Sequence, residues 1–237
     1  MGHRLAAALT CMVAMLALTA AGPADPPANQ VVLGFFERHS NQNLDSFLAD
    51  LRPAPLGPAD RAMVLGGLPK DGALLPSPGE LEKIAAAAGL LKYSAREGAI
   101  SFLVIDLNHA FVGLYQRTAI LVSRQLLNLV SKGEFVALVA HEVGHDYDWE
   151  AYFSAMQAQS HVNMQHLELR ADAIAVLTLR RIGGNPEDLV SAVRNVTYYN
   201  LRRNAVDNAR DYVPLTQRIA FIRAVARLQW AESARSR

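Results

Sequence analysis

Two histidines four residues apart, with a glutamate directly after the first, stand in the segment His141-Glu142-Val143-Gly144-His145. On an α-helix this spacing is just over one turn, so both imidazoles project from one face and can bind one cation. The glutamate lies about 100° round the helix, where a base can take a proton from metal-bound water. The pattern predicts half of a hydrolytic metal site, although so short a match also occurs by chance.

A catalytic zinc site with two histidines needs a third protein ligand and keeps one position open for water. A histidine six residues after the second one is excluded, because that position is Ala151. A glutamate on a following helix is another arrangement, and Glu168 follows His145 by 23 residues in a helical stretch. Asp172 lies four residues after Glu168, on the same face of that helix, and can accept the N–H of a ligand imidazole.

Acidic residues four apart on a helix are common and usually belong to a solvated face. Here the two acids are surrounded by apolar residues, namely Leu167, Leu169, Ala171, Ala173, Ile174 and Val176. Charged groups in such surroundings need a partner, and a cation is the simplest one. We therefore predict that Glu168 is the third ligand and that Asp172 orients a ligand histidine.

The elements that must position these residues are marked by two capping boxes. Ser131 and Glu134 start the helix that carries the histidines, and Ser77 and Glu80 start one that runs to about Lys92. Strands are predicted over 100–107, 111–115 and 119–123, and helices over 149–182 with a break near 159–163, 186–203 and 214–232. The predicted fold class is α+β, mainly helical, with a small β-sheet and an active-site helix.

Composition limits the function classes. The chain has 237 residues, 51% hydrophobic and 19% charged, which fits one globular domain with a sizeable core. A formal net charge of +1 gives no basic surface for nucleic acid. The single cysteine, Cys11, lies in the N-terminal apolar run. A metal in the mature protein must therefore be held by histidine and carboxylate.

The N-terminal run predicts an export signal. Arg4 is followed by 17 residues without a charge, then by small residues and prolines. We predict a cleaved signal peptide over 1–24, with an uncleaved membrane anchor as the alternative. The mature protein would be periplasmic or secreted, without stable membrane insertion. Residues 25–79 are interpreted as a tether and proline-rich segment, and 80–237 as the catalytic domain.

The two motifs together, His141 to His145 followed by Glu168, Ala171 and Asp172, resemble the gluzincin metallopeptidases of the CAAX prenyl protease and HtpX-like family. The resemblance covers roughly residues 80–230. The stretch from Asn108 to Phe111 is similar to the family's Asn-Ala-Phe edge strand, with His109 inserted. Tyr212-Val213-Pro214 is similar to its Thr-His-Pro, with Val213 in place of the histidine. The ligand spacing is short for the family, and no transmembrane helices flank the domain.

This resemblance implies a zincin-like fold and one zinc ion per chain, bound by His141, His145 and Glu168. Glu142 would be the general base in hydrolysis of a peptide or protein substrate. Asn108 and Ala110 would hold the substrate as an added β-strand.

Several residues could donate the hydrogen bond that stabilises the negatively charged oxygen of the transition state, and the sequence does not choose between them. They are His161, His166, Tyr198, Tyr199, Tyr212 and Arg218. Arg218 has a second interpretation, as the partner of Asp172. We expect Trp149, Tyr152 and Phe153 to pack in the core. A zinc-binding chaperone-like or partner-binding module with little proteolysis is the alternative function, although the presence of Glu142 favours the enzyme.

Overall fold

The computed structural model describes residues 27–68, 73–205 and 209–231, so the predicted signal peptide lies outside the described residues. The helices of the described part are α1 Ala28–His39, α2 Leu44–Leu51, α3 Pro58–Gly66, α4 Pro78–Ala86, α5 Ala88–Tyr93, α6 Arg124–Leu129, α7 Lys132–Tyr147, α8 Trp149–Gln157, α9 His161–Arg181, α10 Pro186–Leu201 and α11 Leu215–Arg227. Its strands are β1 Ala73–Leu74, β2 Ser101–Ile105, β3 Val112–Tyr115 and β4 Ala119–Ser123. The predicted fold class, mainly helical α+β with a small sheet, is confirmed. In the part of the chain that is described, every helix is too short or too polar to cross a membrane.

Both predicted capping boxes are present. At α7, the side chain of Ser131 accepts the N–H of Glu134 at 3.2 Å, and Oε2 of Glu134 accepts the N–H of Ser131 at 2.6 Å. The equivalent pair Ser77 and Glu80 starts α4. Each box satisfies backbone N–H groups that have no partner within the helix. The start of the helix that carries the histidines is therefore fixed by local sequence.

Two predicted helices are each divided. The helix expected from 77 to 92 ends at Ala86, and α5 begins at Ala88. The stretch 149–182 breaks as predicted, because Gln159 has a φ of 51° and separates α8 from α9. A left-handed residue cannot continue a right-handed helix. Strand β1 had no sequence signal, since two residues are too few to show a period.

The sheet within the described residues has the order β1-β2-β4-β3. Strand β4 is parallel to β2 and antiparallel to β3, with Leu114 opposite Ile120. In the described part of the chain β3 has a neighbour on one side, so its other side is an open edge. Strand β3 contacts α7, and on this edge the N–H of Leu114 is bonded to Glu142 of that helix.

Helix α9 runs through the centre of the molecule and is buried from Leu167 to Leu179, apart from Arg170. A helix that is apolar on most of its circumference must be covered on several sides. Here it contacts α1, α7, α8, α10 and α11. Phe36 of α1 and Leu48 of α2 lie in the same core cluster. Helices α1 and α2, from the predicted 25–79 segment, therefore share one core with helices of the predicted 80–237 domain.

Gly144 allows α7 and α9 to approach closely. A Cβ atom at this position would lie 2.7 Å from the carbonyl oxygen of Ala171 and 2.8 Å from its Cα. Such distances are shorter than van der Waals contact, so only glycine fits against the α9 backbone here. The residue between the two histidines thus brings Glu168 and Asp172 within reach of them.

Candidate metal centre

Three predicted ligands meet between α7 and α9. Nε2 of His141 lies 3.1 Å from Nε2 of His145. Oε2 of Glu168 lies 3.3 Å from Nε2 of His141, and Oε1 of Glu168 lies 3.5 Å from Nε2 of His145. All three side chains are buried, and their ligand atoms lie within 4.8 Å of one another. Two histidines and one carboxylate with this convergence are the donor set of catalytic zinc sites.

The unpaired carboxylate oxygen and the ionisation states of this cluster fit a bound cation. Oε2 of Glu168 is buried and receives no well-aligned hydrogen bond from the described residues. Burial lowers the pKa of His145 to about 4, so its ring is neutral at pH 7 and can donate a lone pair. Burial alone would raise the pKa of Glu168, but His145, His141 and Arg218 hold it below its usual value. The carboxylate is therefore ionised, as a metal ligand must be.

A chain of side chains behind the cluster orients His141. Nδ1 of His141 lies 2.9 Å from Oδ1 of Asp172. Arg218 donates two parallel hydrogen bonds to the same carboxylate, from Nε at 2.7 Å and Nη2 at 2.8 Å. Although burial disfavours its charge, Arg218 and His141 keep the pKa of Asp172 well below its usual range. Such a partner fixes the ring orientation of a ligand histidine and raises its basicity.

The electrostatics of His141 follow from the same partners. Burial alone would lower its pKa, but hydrogen bonds and charges of Asp172 and Glu168 raise the pKa of His141 to about 10. A cation that binds Nε2 must therefore displace a proton at neutral pH. Metal affinity at this cluster is expected to increase with pH.

Glu142 lies beside the three ligands and is held by the sheet. Its Oε2 accepts the backbone N–H of Leu114 at 2.9 Å. Burial raises the pKa of Glu142 to about 7, against the charge of His141 and this hydrogen bond. The carboxylate is placed between the ligand cluster and the open edge of β3, where a general base would meet both water and substrate.

Two tyrosines lie near the cluster, and for one of them, Tyr152, the sequence predicts only a packing role. The ring of Tyr152 lies 4.4 Å from that of His145, centroid to centroid. Burial and the charges of Glu168 and Glu142 raise the pKa of Tyr152. Tyr212 is 40% exposed, and the negative charge of Glu168 raises its pKa well above its usual value. Both side chains therefore bring a neutral hydroxyl group near the charges of the cluster. The sequence could not identify Tyr152, because aromatic residues on helices are usually core.

The other predicted site residues lie as follows. Arg218 pairs with Asp172, which is the second of the two roles predicted for it. Its guanidinium lies 5.2 Å from the ring of Tyr212. His161 is exposed and lies 2.7 Å from Asp211. His166 is half-buried on α9. Tyr198 is exposed, and Tyr199 lies under the guanidinium of Arg203.

The two residues predicted to hold the substrate precede β3. Asn108 lies in a bend before the strand, and its side chain contacts His109. Ala110 has its N–H and its carbonyl bonded to the side chain of Asn200, each at 2.9 Å. A role for Asn108 and Ala110 in substrate binding stays a prediction.

A buried charge cluster that sequence reasoning missed anchors the C-terminal end of α7. Asp146, next to His145, pairs with Arg96 and Arg117, and Asp146 and Arg96 are both about 1% exposed. The same two arginines donate to the carbonyls of Pro53 and Ala54 at 2.7 and 2.6 Å. The start of the proline-rich segment is thus fixed to the end of the histidine helix. Residues so distant in sequence carry no common pattern from which this could be predicted.

Comparison with known proteins gives one family match. The model of peptidase family M48 matches residues 81–167 of the chain. The matched range contains His141, Glu142 and His145 and ends one residue before Glu168, so the third ligand rests on the structure. No curated protein matches the chain. Peptidases of this family are zinc-dependent, so the match supports a zinc metallopeptidase that acts on peptide or protein substrates.

Proposed function

We propose that the chain is a zinc-dependent endopeptidase in which Glu142 is the general base. The observation that carries this proposal is the buried convergence of His141, His145 and Glu168 directly beside a carboxylate that touches the open edge of β3. A metal site alone would need no base, and a structural zinc site is usually closed by four protein ligands. Three ligands with an adjacent base are the arrangement of a hydrolase.

The chemistry divides between the metal and the chain. A zinc ion, when bound, would polarise the scissile carbonyl and acidify a water molecule to a pKa near about 7. Glu142 would accept the proton from that water and pass it to the leaving amine. Asp172 and Arg218 would keep His141 in the ligating orientation.

Tyr152 is the donor that we propose for the developing oxyanion. Its ring packs on His145, and burial, together with the charges of Glu168 and Glu142, raises the pKa of its hydroxyl. A neutral donor that is fixed beside the ligands stabilises negative charge more in the transition state than in the ground state. Replacement by phenylalanine should lower kcat about 100-fold and leave zinc content unchanged, because the ring contact remains.

A backbone mode of substrate binding fits the open edge of β3. Val112 and Leu114 turn their backbone groups away from β4, as the register and the bond from Leu114 to Glu142 require. An extended peptide can add to such an edge as a further strand. Recognition through backbone groups depends little on side chains and suits an endopeptidase.

Zinc content and peptide cleavage test the proposal together. The wild type should hold one zinc per chain by plasma mass spectrometry and cleave casein peptides. Glu142→Gln should hold the same zinc while kcat/KM falls about 100- to 10,000-fold. Zinc without any cleavage by the wild type would contradict the enzyme and support the partner-binding module. A protein without zinc would contradict both.

Export of the protein is a separate proposal that rests on the sequence of residues 1–24. Purification from the periplasm or medium of a bacterial host, followed by intact mass, should give a chain that begins near residue 22 or 25. A full-length chain in the membrane fraction would support the anchored alternative.

A further inference from the structure

In β3 and the residues just before it, every second residue turns its backbone N–H and carbonyl away from β4. Leu114 lies opposite Ile120, and its N–H goes to Glu142 instead of to β4. In an antiparallel pair every second residue has its backbone groups on the same side, so Val112 faces outward as well. The backbone groups of Phe111, the residue before Val112, point toward β4 instead, and its carbonyl accepts the N–H of Ser123 at 2.8 Å.

Ala110 has the same outward direction, and both of its backbone groups are already bonded to a side chain. Ala110, two residues before Val112, donates its N–H to Oδ1 of Asn200 and accepts Nδ2 of Asn200 at its carbonyl, both at 2.9 Å. A carboxamide carries one acceptor and a donor in one plane, as a peptide group does. Asn200 therefore makes the two bonds with Ala110 that a residue of an added strand would make. It lies in the last turn of α10, so a helix holds it in place.

We propose that Asn200 closes one end of the peptide-binding edge and limits how many substrate residues can pair with the chain on that side. This inference rests on the proposed peptidase function. Strand residues rise about 3.4 Å each, so the stretch from Val112 to Leu114 is roughly 7 Å long. It offers both backbone groups of Val112 and the carbonyl of Leu114, whose N–H is already bonded to Glu142, and it can pair with two or three substrate residues. A longer substrate would have to replace two existing hydrogen bonds with two equivalent ones, and this exchange adds no affinity.

Binding of peptides of increasing length tests this limit. The probes are fluorescein-labelled casein peptides of four to ten residues, extended one residue at a time at either end from a bond that the wild type cleaves. Their Kd is measured on the zinc-loaded full chain carrying Glu142→Gln, in which they are bound but not hydrolysed. With Asn200 present, affinity should stop increasing at one end after the residue opposite Val112.

Replacement of Asn200 should release the limit. Asn200→Ala in the same background should bind the next longer peptide about tenfold more tightly, as expected for one or two recovered hydrogen bonds. Asn128→Ala is the matched control, because Asn128 is an exposed asparagine on α6, and it should keep the original length profile. If affinity levels off at the same length with and without Asn200, the inference is wrong.

Hydrogen exchange gives a second readout that needs no substrate. The amide of Ala110 should exchange faster in Asn200→Ala, whereas that of Leu114 should keep its protection by Glu142. Asn200→Asp has nearly the same volume and keeps the acceptor for the N–H of Ala110 but loses the donor to its carbonyl. It should give a smaller gain with long peptides, and it carries the test if Asn200→Ala does not fold. Failure of the peptidase proposal appears instead as absence of cleavage by the wild type.

Discussion

The backbone N–H of Leu114 donates a hydrogen bond of 2.9 Å to Oε2 of Glu142. This bond joins the open edge of β3 to the carboxylate next to the first metal-ligand histidine. It fixes one oxygen of Glu142, and the other is the one that we propose for proton transfer. It also opposes the effect of burial, which raises the pKa of the carboxyl to about 7. The strand therefore positions the proposed base and also carries the edge that we propose for the substrate.

Removal of this N–H tests its role. In Leu114→Pro the donor is lost, while proline is tolerated where the N–H points away from the neighbouring strand. We expect kcat to fall about tenfold, the value of one hydrogen bond, because Glu142 is no longer held. Steady-state kinetics on a fluorogenic peptide would measure it.

Val112→Pro is the comparison, because Val112 has the same outward parity but no bond to Glu142. It should raise KM for the peptide and change kcat little. Equal effects of the two prolines on kcat would show that the bond from Leu114 does not position the base.

Gly144 gives a prediction about the assembly of the site. Gly144→Ala places a Cβ 2.7 Å from the carbonyl oxygen of Ala171, so α7 and α9 must move apart. Overpacking of this kind costs about 1–3 kcal/mol of unfolding free energy, and it separates Glu168 from the histidines. Urea denaturation should show the lost stability, and zinc titration should show weaker binding.

The matched control for this change is Gly89→Ala in α5. A Cβ at Gly89 meets no atom within 4 Å. Since alanine is favoured over glycine in helices by up to about 1 kcal/mol, the control should be neutral or slightly more stable. Zinc binding by Gly144→Ala at wild-type affinity would contradict the role given to this contact.

Asp172 should influence metal affinity without touching the metal. Asp172→Asn keeps the shape of the side chain but weakens its interaction with His141 and Arg218. Loss of such a partner typically reduces metal affinity 10- to 100-fold, which competition with a chromophoric chelator would measure. Asp148→Asn is the control, because Asp148 has a similar paired contact with Arg170 but lies outside the cluster. Equal loss of affinity in both variants would point to a general effect of broken ion pairs.

Local patterns predicted the parts of this site that depend on neighbouring residues. Ser131 and Glu134 specify where α7 begins, and the spacing of His141 and His145 then sets the face on which they lie. Glu168 was accessible by the same reasoning, since an acid among apolar residues needs a partner. The contacts from Leu114 to Glu142 and from Asn200 to Ala110 depend on how strand and helix pack, over separations of 28 and 90 residues. No period or cap in the sequence reports such contacts.

The capping box of α7 should make stability depend on pH. Burial alone would raise the pKa of Glu134, but hydrogen bonds from Ser191, Ser131 and Asn195 lower it. A carboxyl whose folded pKa is depressed stabilises the protein above its unfolded pKa of about 4.3, and this contribution is lost as the pH falls through the folded value. Wild type should therefore lose stability below about pH 4.3 more steeply than Glu134→Gln.

Thermal unfolding of the metal-free protein between pH 7 and pH 3 measures this difference, with zinc removed by EDTA so that ligand protonation does not contribute through metal release. Glu187→Gln is the matched control: the pKa of Glu187 is also lowered, by Arg223, but the pair is exposed and contributes little. At pH 7 the Glu134 variant should unfold at a lower temperature than wild type, and the two curves should approach each other on acidification. A gap in Tm that stays constant from pH 7 to pH 3 would mean that Glu134 acts through its shape alone, and that its charge does not stabilise the start of α7.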